Sequence, residues 1–442
     1  MDGETKMTIN LPERVSFILE CLNLSGYAAY VVGGCVRDSV LGIAPHDWDI
    51  CTSARPEETM EVFKQIGWGV VETGVKYGTV TVIAKNSYEP DEPFEITTFR
   101  IDGEYKDNRR PEDVTFTDDL VADLSRRDFT INAMAYHPAY GLIDPFGGLD
   151  DIKQKYIRCV GDPQKRFEED ALRMLRAVRF ALRYDYRIEY NTMLAIHQME
   201  ENVQNVSVER VSSELTRILS ETFFPEKSND DPVFQQFLRF ASMFNPSQNM
   251  DSVSSLSFCN NDIETSLAVL CDSPEMEQKL LDLRFPKYVA KNAAEIYRIG
   301  MLILVNLDFQ KATGRHFRYL ARQIISRVGA HFNCTYIARY GVRFAMANCD
   351  PKLLPFLFRL EKQIIKVAGE DIPCRVSELA VNGNDIMKFG CKGAEVGSVL
   401  YHLLGKVMAE ELKNDRDSLI GYLKSINDFP TWNRFLCSTK KN

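Results

Sequence analysis

Val31-Val32-Gly33-Gly34-Cys35-Val36-Arg37-Asp38 carries an apolar strand into two glycines and then into a helix start. Glycines at such a turn let backbone N–H groups approach a phosphate at a helix N-terminus, and Arg37 adds a fixed fork of donors. A plain strand-to-helix turn uses the same residues, so the following segment matters. Asp47 stands ten residues after Arg37, in His46-Asp47-Trp48-Asp49-Ile50. Read as a strand, it projects Asp47 and Asp49 from one face and sends Trp48 and Ile50 to the core. Paired carboxylates of this kind suit Mg²⁺, a hard cation that takes a few carboxylates and completes its shell with substrate phosphates and water.

Around these motifs the first ~150 residues, about one domain's worth, mix helix and strand signals. Leu11 to Leu24 has helical apolar spacing, and Ser53 to Gln65 carries Pro56, Glu57 and Glu58 in its first turn with Gly67 beyond its end. Thr79 to Ala84 and Phe94 to Phe99 alternate and are rich in β-branched residues. Glu95, on the second of these strands, is either a third carboxylate or ordinary surface. From about Asp162 strand runs nearly vanish and helical periodicity continues to the end. The expected fold class is therefore α+β, a head with a mixed sheet followed by all-α domains. Punctuation by Pro and Gly divides it into 1–155, 156–225, 226–345 and 346–442.

Composition excludes several classes. Of 442 residues, 45% are hydrophobic and 26% charged, with 53 Lys and Arg against 62 Asp and Glu, which is neither disordered nor collagen-like. The eleven cysteines form no C-x-x-C pair, so neither a zinc site nor a disulfide framework is expected. An N-terminus without an apolar run points to the cytoplasm. Membrane residence is not expected, since no stretch approaches the ~18 apolar residues of a span. The acidic total hides a local excess, because Pro286 to Phe344 holds ten Lys or Arg against two Asp or Glu. Such a segment fits a polyanionic partner or a solvated face.

Two further segments carry chemistry. In Asp123-Leu124-Ser125-Arg126-Arg127-Asp128-Phe129-Thr130-Ile131-Asn132 the paired arginines offer donors to a triphosphate or ribose, and Asp128 an acceptor to ribose hydroxyls; an exposed Arg127–Asp128 ion pair is the plainer alternative. In Glu169-Asp170-Ala171-Leu172-Arg173, a helix makes Asp170 and Arg173 neighbours, with Arg176 and Arg179 continuing at the same interval. An arginine stripe otherwise serves as a solvated face. Beside a nucleobase, however, an acceptor-only carboxylate next to a donor-only guanidinium matches cytosine and adenine, each with an amino donor beside a ring-nitrogen acceptor. Uracil and guanine present the reverse pattern and are refused.

In order along the chain, Gly33-Gly34-x-x-Arg37-Asp38, Asp47-x-Asp49, Arg126-Arg127-Asp128-Phe129-Thr130-Ile131-Asn132-Ala133, Asp144-Pro145-Phe146-Gly147-Gly148-x-x-Asp151-Ile152 and Glu169-Asp170-x-x-Arg173 resemble the motifs of the tRNA nucleotidyltransferases. These are the CCA-adding enzymes, in their bacterial and eukaryotic class. The likeness reaches about residue 220 if Val208-Glu209-Arg210 and Glu214-Leu215 form the neck signature. It implies a polymerase-β-like nucleotidyltransferase head, a neck bearing an amino-acid template, and a body and tail that bind tRNA. It further implies that Asp47 and Asp49 bind Mg²⁺ and carry catalysis, that Gly34 and Arg37 hold the triphosphate, and that Arg127 contacts the nucleotide near its sugar and phosphates. Asp170 and Arg173 would pair with the base, Glu169 would orient Arg173, and Arg176 and Arg179 would line the pocket. The implied reaction extends the tRNA 3′ end with C, C and A from CTP and ATP, with no obligate protein partner.

The charged stretch Arg100 to Val114 reads as a mobile loop. Family members that add only C and C lack it, so its presence implies addition of A. An A-adding specialist, a bacterial poly(A) polymerase and a catalytically silent tRNA-binding protein are the alternatives. A weaker likeness extends to the tail at Val381-Asn382-Gly383-Asn384-Asp385-Ile386.

Overall fold

The first strand, β1 (Ala29–Val32), sits centrally in a mixed seven-stranded sheet because three of its four side chains are buried. The computed structural model describes residues 7–72, 74–85, 90–103, 113–222, 231–244, 256–259, 261–306, 314–328, 334–370 and 372–426. Its chain divides into one unit of Met1–Ile218 with Asp230–Phe244 and a second of Leu219–Asn229 with Asn245–Asn442.

In the first unit, α1 (Glu13–Leu24), β1, α2 (Gly34–Val40), β2 (Ile50–Thr52), α3 (Pro56–Gln65), β3 (Gly69–Val71), β4 (Thr79–Ala84) and β5 (Glu92–Thr98) follow in order. Then come β6 (Arg100–Asp102), β7 (Val114–Phe116), α4 (Leu120–Ser125), β8 (Ala135–His137), β9 (Gly141–Ile143), α5 (Gly148–Gln154) and β10 (Tyr156–Ile157). The strand order of the main sheet is β3-β4-β5-β2-β1-β8-β9. Its one parallel pair among the described strands is β2 with β5, in register Ile50↔Ile96. The expected α+β head with a mixed sheet is present. Alternation in β4 buries Val80, Val82 and Ala84, as its period-2 pattern requires. The helix α3 starts at Pro56 rather than Ser53, with Glu58 Oε2 accepting from the Arg55 N–H at 2.7 Å, a reciprocal cap that fixes the first turn. Of the loop expected between Arg100 and Val114, residues 104–112 lie outside the described residues; its ends pair as β6 and β7.

Helices then take over: α6 (Pro163–Glu169), α7 (Leu172–Tyr184), a short β11 (Arg187–Ile188) that pairs with β10, α8 (Tyr190–Met199), α9 (Val208–Glu221) and α10 (Pro232–Phe244). In α7 the apolar face of Met174, Leu175, Ala177, Val178 and Ala181 is fully buried, leaving Arg173 and Arg176 on the other side.

In the second unit the described elements are all helical: α11 (Ile263–Cys271), α12 (Met276–Asp282), α13 (Lys287–Asn306), α14 (Gly314–Val328), α15 (Cys334–Ala347), α16 (Leu354–Val367), α17 (Gly383–Met387), α18 (Ala394–Met408) and α19 (Arg416–Ser425). Helices α13 and α15 cross at Gly300 and Gly341, where an added Cβ would lie 2.2 Å from Phe344 and 2.5 Å from Ile299 respectively. Only glycine permits that approach. The tail turn is fixed by Asn382, whose side chain accepts from the Asn384 N–H, and by Asp385, paired with Arg416.

The basic excess of residues 286–344 is smaller in three dimensions than in sequence. Arg298 pairs with Glu295, Arg318 and Arg322 with Glu370 and Glu410, and Arg339 and Arg343 with Glu361. Arg322 is 1% exposed and also donates to the Met408 carbonyl at 2.7 Å. Among the described residues, five of these cations therefore meet carboxylates, most of them from outside the segment. No helix among the described residues is long and apolar enough to cross a membrane.

Candidate active site

The turn between β1 and α2 is built around Gly33, with φ +82°. The positive φ favours glycine, and a Cβ there would lie 2.9 Å from Arg127 Nη1, so a larger residue would also displace that guanidinium. Arg127 is brought to the turn from the segment after α4. Its ion pair with Asp123 is long at 3.4 Å. Its Nε is buried without a hydrogen-bond partner, while its Nη1 lies against Gly33.

Asp47 and Asp49 reach this region from a bend rather than from a strand. The ladder of β2 begins at Ile50, and Asp49 joins it only through its carbonyl, which accepts from the Val32 N–H at 3.0 Å. This departs from the expected strand because Asp47 lies in an open bend, its side chain 85% exposed and 3.0 Å from His46. The parallel register Ile50↔Ile96 sets Asp49 and Glu95 side by side, each one step before a buried isoleucine. Asp49 keeps solvent access, but the protein around its carboxyl displaces part of its hydration and pushes it above the ordinary aspartate range; Arg127 opposes the shift, and Glu95 and Asp47 add to it. Negative charge is thus concentrated just before β2, beside the middle of β5. Among the described residues no three His, Cys, Asp or Glu side chains close into a metal cage. Two aspartates, with Glu95 near one of them, make an incomplete oxygen donor set, which fits a cation whose remaining ligands arrive with a substrate.

Arg37 is 6% exposed. Its donors go to Asp38 at 2.8–2.9 Å and to the Asn132 side chain, and its guanidinium carbon lies 5.0 Å from the Phe180 ring and 5.1 Å from that of Tyr184. It forms the floor beneath the glycine turn. Asp128, read in sequence as a ribose acceptor, is 8% exposed and is taken up internally: Oδ1 accepts from the Phe129 N–H and the Asn132 amide, Oδ2 from Arg176 at 2.7 and 2.9 Å. Burial would raise its carboxyl, but Arg176 and the Asn132 amide outweigh it and hold it down at about 2. Arg179, 4% exposed, donates to Glu214 at 2.6 Å.

Asp170 and Arg173 do not share one continuous helix. α6 ends at Glu169, Asp170 is extended at φ −155°, and α7 begins at Leu172. The Asp170 carboxylate causes the break by accepting from the Leu172 N–H at 3.1 Å, a local bond that competes with the helix. Arg210 of α9 grips the same carboxylate with two bonds, 3.1 and 2.7 Å long. Glu169 accepts from Arg173 at 2.6 Å while also pairing with Arg166 at 2.8 Å, and Arg173 reaches the carbonyls of Arg166 and Arg126. The carboxylate and the guanidinium are each aimed by a partner of opposite charge. The neck signature Val208-Glu209-Arg210 does not show which group Arg210 meets, and the motif from Arg126 to Ala133 does not show that Asn132 joins Arg37 to Asp128. Neither contact has a local signal, since the Arg210–Asp170 and Arg37–Asn132 partners lie 40 and 95 residues apart.

Comparison with known proteins fits this geometry. A poly A polymerase head domain profile matches residues 29–158, and a profile described as a probable RNA and SrmB-binding site of polymerase A matches residues 185–225. The CCA-adding enzyme of Enterococcus faecalis is 44% identical over 202 residues, 46% of this chain and 48% of the relative. The chain thus spans about half the length of the first curated relatives it matches. The CCA-adding enzyme of Limosilactobacillus fermentum is 31% identical over 405 residues, 91% of this chain and 94% of that protein. The structure of the Bacillus stearothermophilus CCA-adding enzyme in complex with CTP superposes with a TM-score of 0.68 at 27% identity, covering 95% of this chain and 98% of that one. With a near full-length relative above 30% identity and the same head architecture, this chain belongs to the CCA-adding enzyme family of nucleotidyltransferases.

Proposed function

We propose that this protein adds C, C and A to the 3′ end of tRNA from CTP and ATP, releasing pyrophosphate. The observation that carries the reading is the alignment with a CCA-adding enzyme over 91% of the chain, which takes in neck, body and tail as well as the head shared with poly(A) polymerases. The terminal ribose hydroxyl attacks the α-phosphorus in line, an O–P bond forms, and pyrophosphate leaves. Catalysis of this kind rests on positioning and charge stabilisation.

In this reading the backbone at Gly34 and the guanidinium of Arg127 face the triphosphate, and Arg37 supports the turn from below. Asp170 accepts from the amino group of cytosine or adenine, and Arg173 donates to the adjacent ring nitrogen. Arg176 and Arg179 shape the pocket through Asp128 and Glu214. Enzymes of this class use a divalent metal, and Mg²⁺ suits the oxygen donors here. Asp47 and Asp49 would hold it, and when bound it neutralises charge on the reacting phosphates. The body and tail helices serve the tRNA. The cytoplasm, a reducing compartment, suits cysteines that are all free among the described residues.

The test is incubation with Mg²⁺ and each nucleoside triphosphate, singly and together, on tRNA transcripts ending before the first C, after CC and after CCA. Growth of the first by three residues, stopping at CCA, is expected. Growth of the CC-ended transcript alone, by one A, would indicate an A-adding specialist. Long A tails would indicate a poly(A) polymerase, and tRNA binding without growth a silent binding protein.

Arg210 provides a separate check on base selection. In Arg210→Ala the Asp170 carboxylate loses its bidentate partner and its fixed direction, so preference for CTP over UTP is expected to fall about three- to tenfold, within the range of a lost charge-assisted hydrogen bond. Competition between CTP and UTP on the transcript lacking CCA reads this directly, and an unchanged ratio would refute the role.

A further inference from the structure

An unbroken line of buried polar contacts connects the glycine turn to the base-selecting helix. Arg37, beneath Gly33-Gly34, donates to Asn132 Oδ1. Asn132 Nδ2 donates to Asp128 Oδ1 at 3.0 Å, and Asp128 Oδ2 accepts from Arg176 on α7. Arg176 lies 3.8 Å from Glu214 of α9, which also takes Arg179. A second connection runs beside the first. Asp38, paired with Arg37, accepts from Tyr184 Oη at 3.0 Å, and the guanidinium carbons of Arg37, Arg176 and Arg179 surround the Phe180 ring at 5.0, 5.4 and 4.2 Å. Arg37, Asp128, Asn132, Arg179 and Glu214 are each less than 9% exposed.

Burying this many charges is a poor way to gain stability, since an apolar cluster of the same volume does as well or better. Such groups earn retention through geometry, because a buried donor–acceptor chain tolerates one arrangement and penalises the others. Asn132 is the only uncharged side chain in the hydrogen-bonded line from Arg37 to Arg176. Its amide has the donor on one side and the acceptor on the other that allow an arginine and an aspartate to be bridged. A carboxylate there would repel Asp128, and an apolar residue would leave Arg37 and Asp128 each short of a partner.

From this we infer that Asn132 is a positioning residue that sets the register between the glycine turn at Gly33-Gly34 and the base-selecting pair Asp170 and Arg173. The inference rests on the proposed reaction and adds a residue to it. Asn132 touches neither base nor phosphate in this role. It fixes where α7 stands when the triphosphate sits on the turn, so its loss degrades the coupling of binding to base choice.

The test measures kcat and KM for all four nucleoside triphosphates on the transcript lacking CCA, using full-length wild type, Asn132→Ala, Asn132→Asp, and Asn132→Asp combined with Asp128→Asn. The double variant conserves the charge of the network and returns a donor–acceptor pair to these two positions. Asn132→Ala is expected to lower kcat for CTP about tenfold or more and to reduce its preference over UTP about tenfold, the scale of a misplaced reactive geometry, with the KM for tRNA unchanged. Asn132→Asp should be at least as impaired, and the double variant should recover selectivity relative to it. Should Asn132→Ala fail to fold, the comparison of the other two decides. Intact selectivity in the single variants, or a loss equal for all four nucleotides that follows melting temperature and is not rescued, would overturn the inference. A wild-type enzyme that uses all four nucleotides alike would instead overturn the functional reading on which it stands.

Discussion

Asp49→Ala is expected to lower incorporation of both CTP and ATP by about 10³-fold or more, a loss of roughly 4 kcal/mol of transition-state stabilisation, while tRNA affinity is retained. The argument begins with the folded charge distribution. Partial loss of hydration at the Asp49 carboxyl and the negative potential of Glu95 and Asp47 beside it act in one direction, and together they outweigh Arg127. A carboxyl whose pKa is raised on folding is stabilised less in its ionised form by the native state than by the unfolded chain, so at neutral pH it weakens the fold. Removing it is expected to leave the melting temperature the same or higher. Activity and stability should therefore move in opposite directions, which separates a catalytic loss from a folding defect in one preparation. Asp49→Asn should fail like Asp49→Ala, because the amide keeps the shape and loses the charge. Single-turnover extension of the CC-ended transcript by ATP, paired with a thermal melt, makes the measurement. Activity retained within about threefold, far short of the ~4 kcal/mol at stake, would remove Asp49 from the proposed metal-holding pair.

What the chain made legible was local. The alternation of Thr79–Ala84 buried every second residue as its period demands, and the apolar run into Gly33-Gly34 became a strand and a turn at those residues. What stayed hidden depended on distance in sequence. β8 has only three residues, Ala135–His137, and its first two end an unbroken buried run that begins at Asp128, so no periodicity marks it. Arg37 looked like a free phosphate ligand because arginine is usually exposed, but Asn132, Phe180 and Tyr184 enclose it from far along the chain. Asp170 and Arg173 were legible as a pair, whereas the break between α6 and α7 was not, because helical spacing continues through it. The basic segment misled for a related reason. Counting charges within Pro286 to Phe344 could not include Glu361, Glu370 and Glu410, which neutralise much of it. Motifs whose chemistry is contiguous were read well, and contacts that folding assembles from remote residues were not.

Arg173→Ala should abolish base choice more than it harms triphosphate binding. Its guanidinium is the donor proposed to meet the ring nitrogen of cytosine or adenine and to repel the ring N–H of uracil or guanine. Truncation removes the attraction for the first pair and the penalty on the second, so preference for CTP over UTP should fall by about 10- to 100-fold, or roughly 1–3 kcal/mol. The triphosphate is proposed to sit at Gly34 and Arg127, on a different element, so KM for CTP should rise less than kcat falls. The structural cost is contained, because Glu169 keeps its ion pair with Arg166 at 2.8 Å when Arg173 is gone. Lost besides the base contact are the bond to Glu169 and those to the Arg126 and Arg166 carbonyls. Arg173→Lys separates charge from shape. A lysine ammonium restores the positive charge beside Glu169 but lacks the planar fork that lets one group hold Glu169 and a ring nitrogen together. It should therefore recover stability without recovering selectivity. Incorporation of each nucleotide by the two variants on the same transcript gives the answer. Selectivity unchanged in Arg173→Ala would refute the template, and selectivity restored by lysine would show that local positive charge, rather than the geometry of a donor pair, chooses the base.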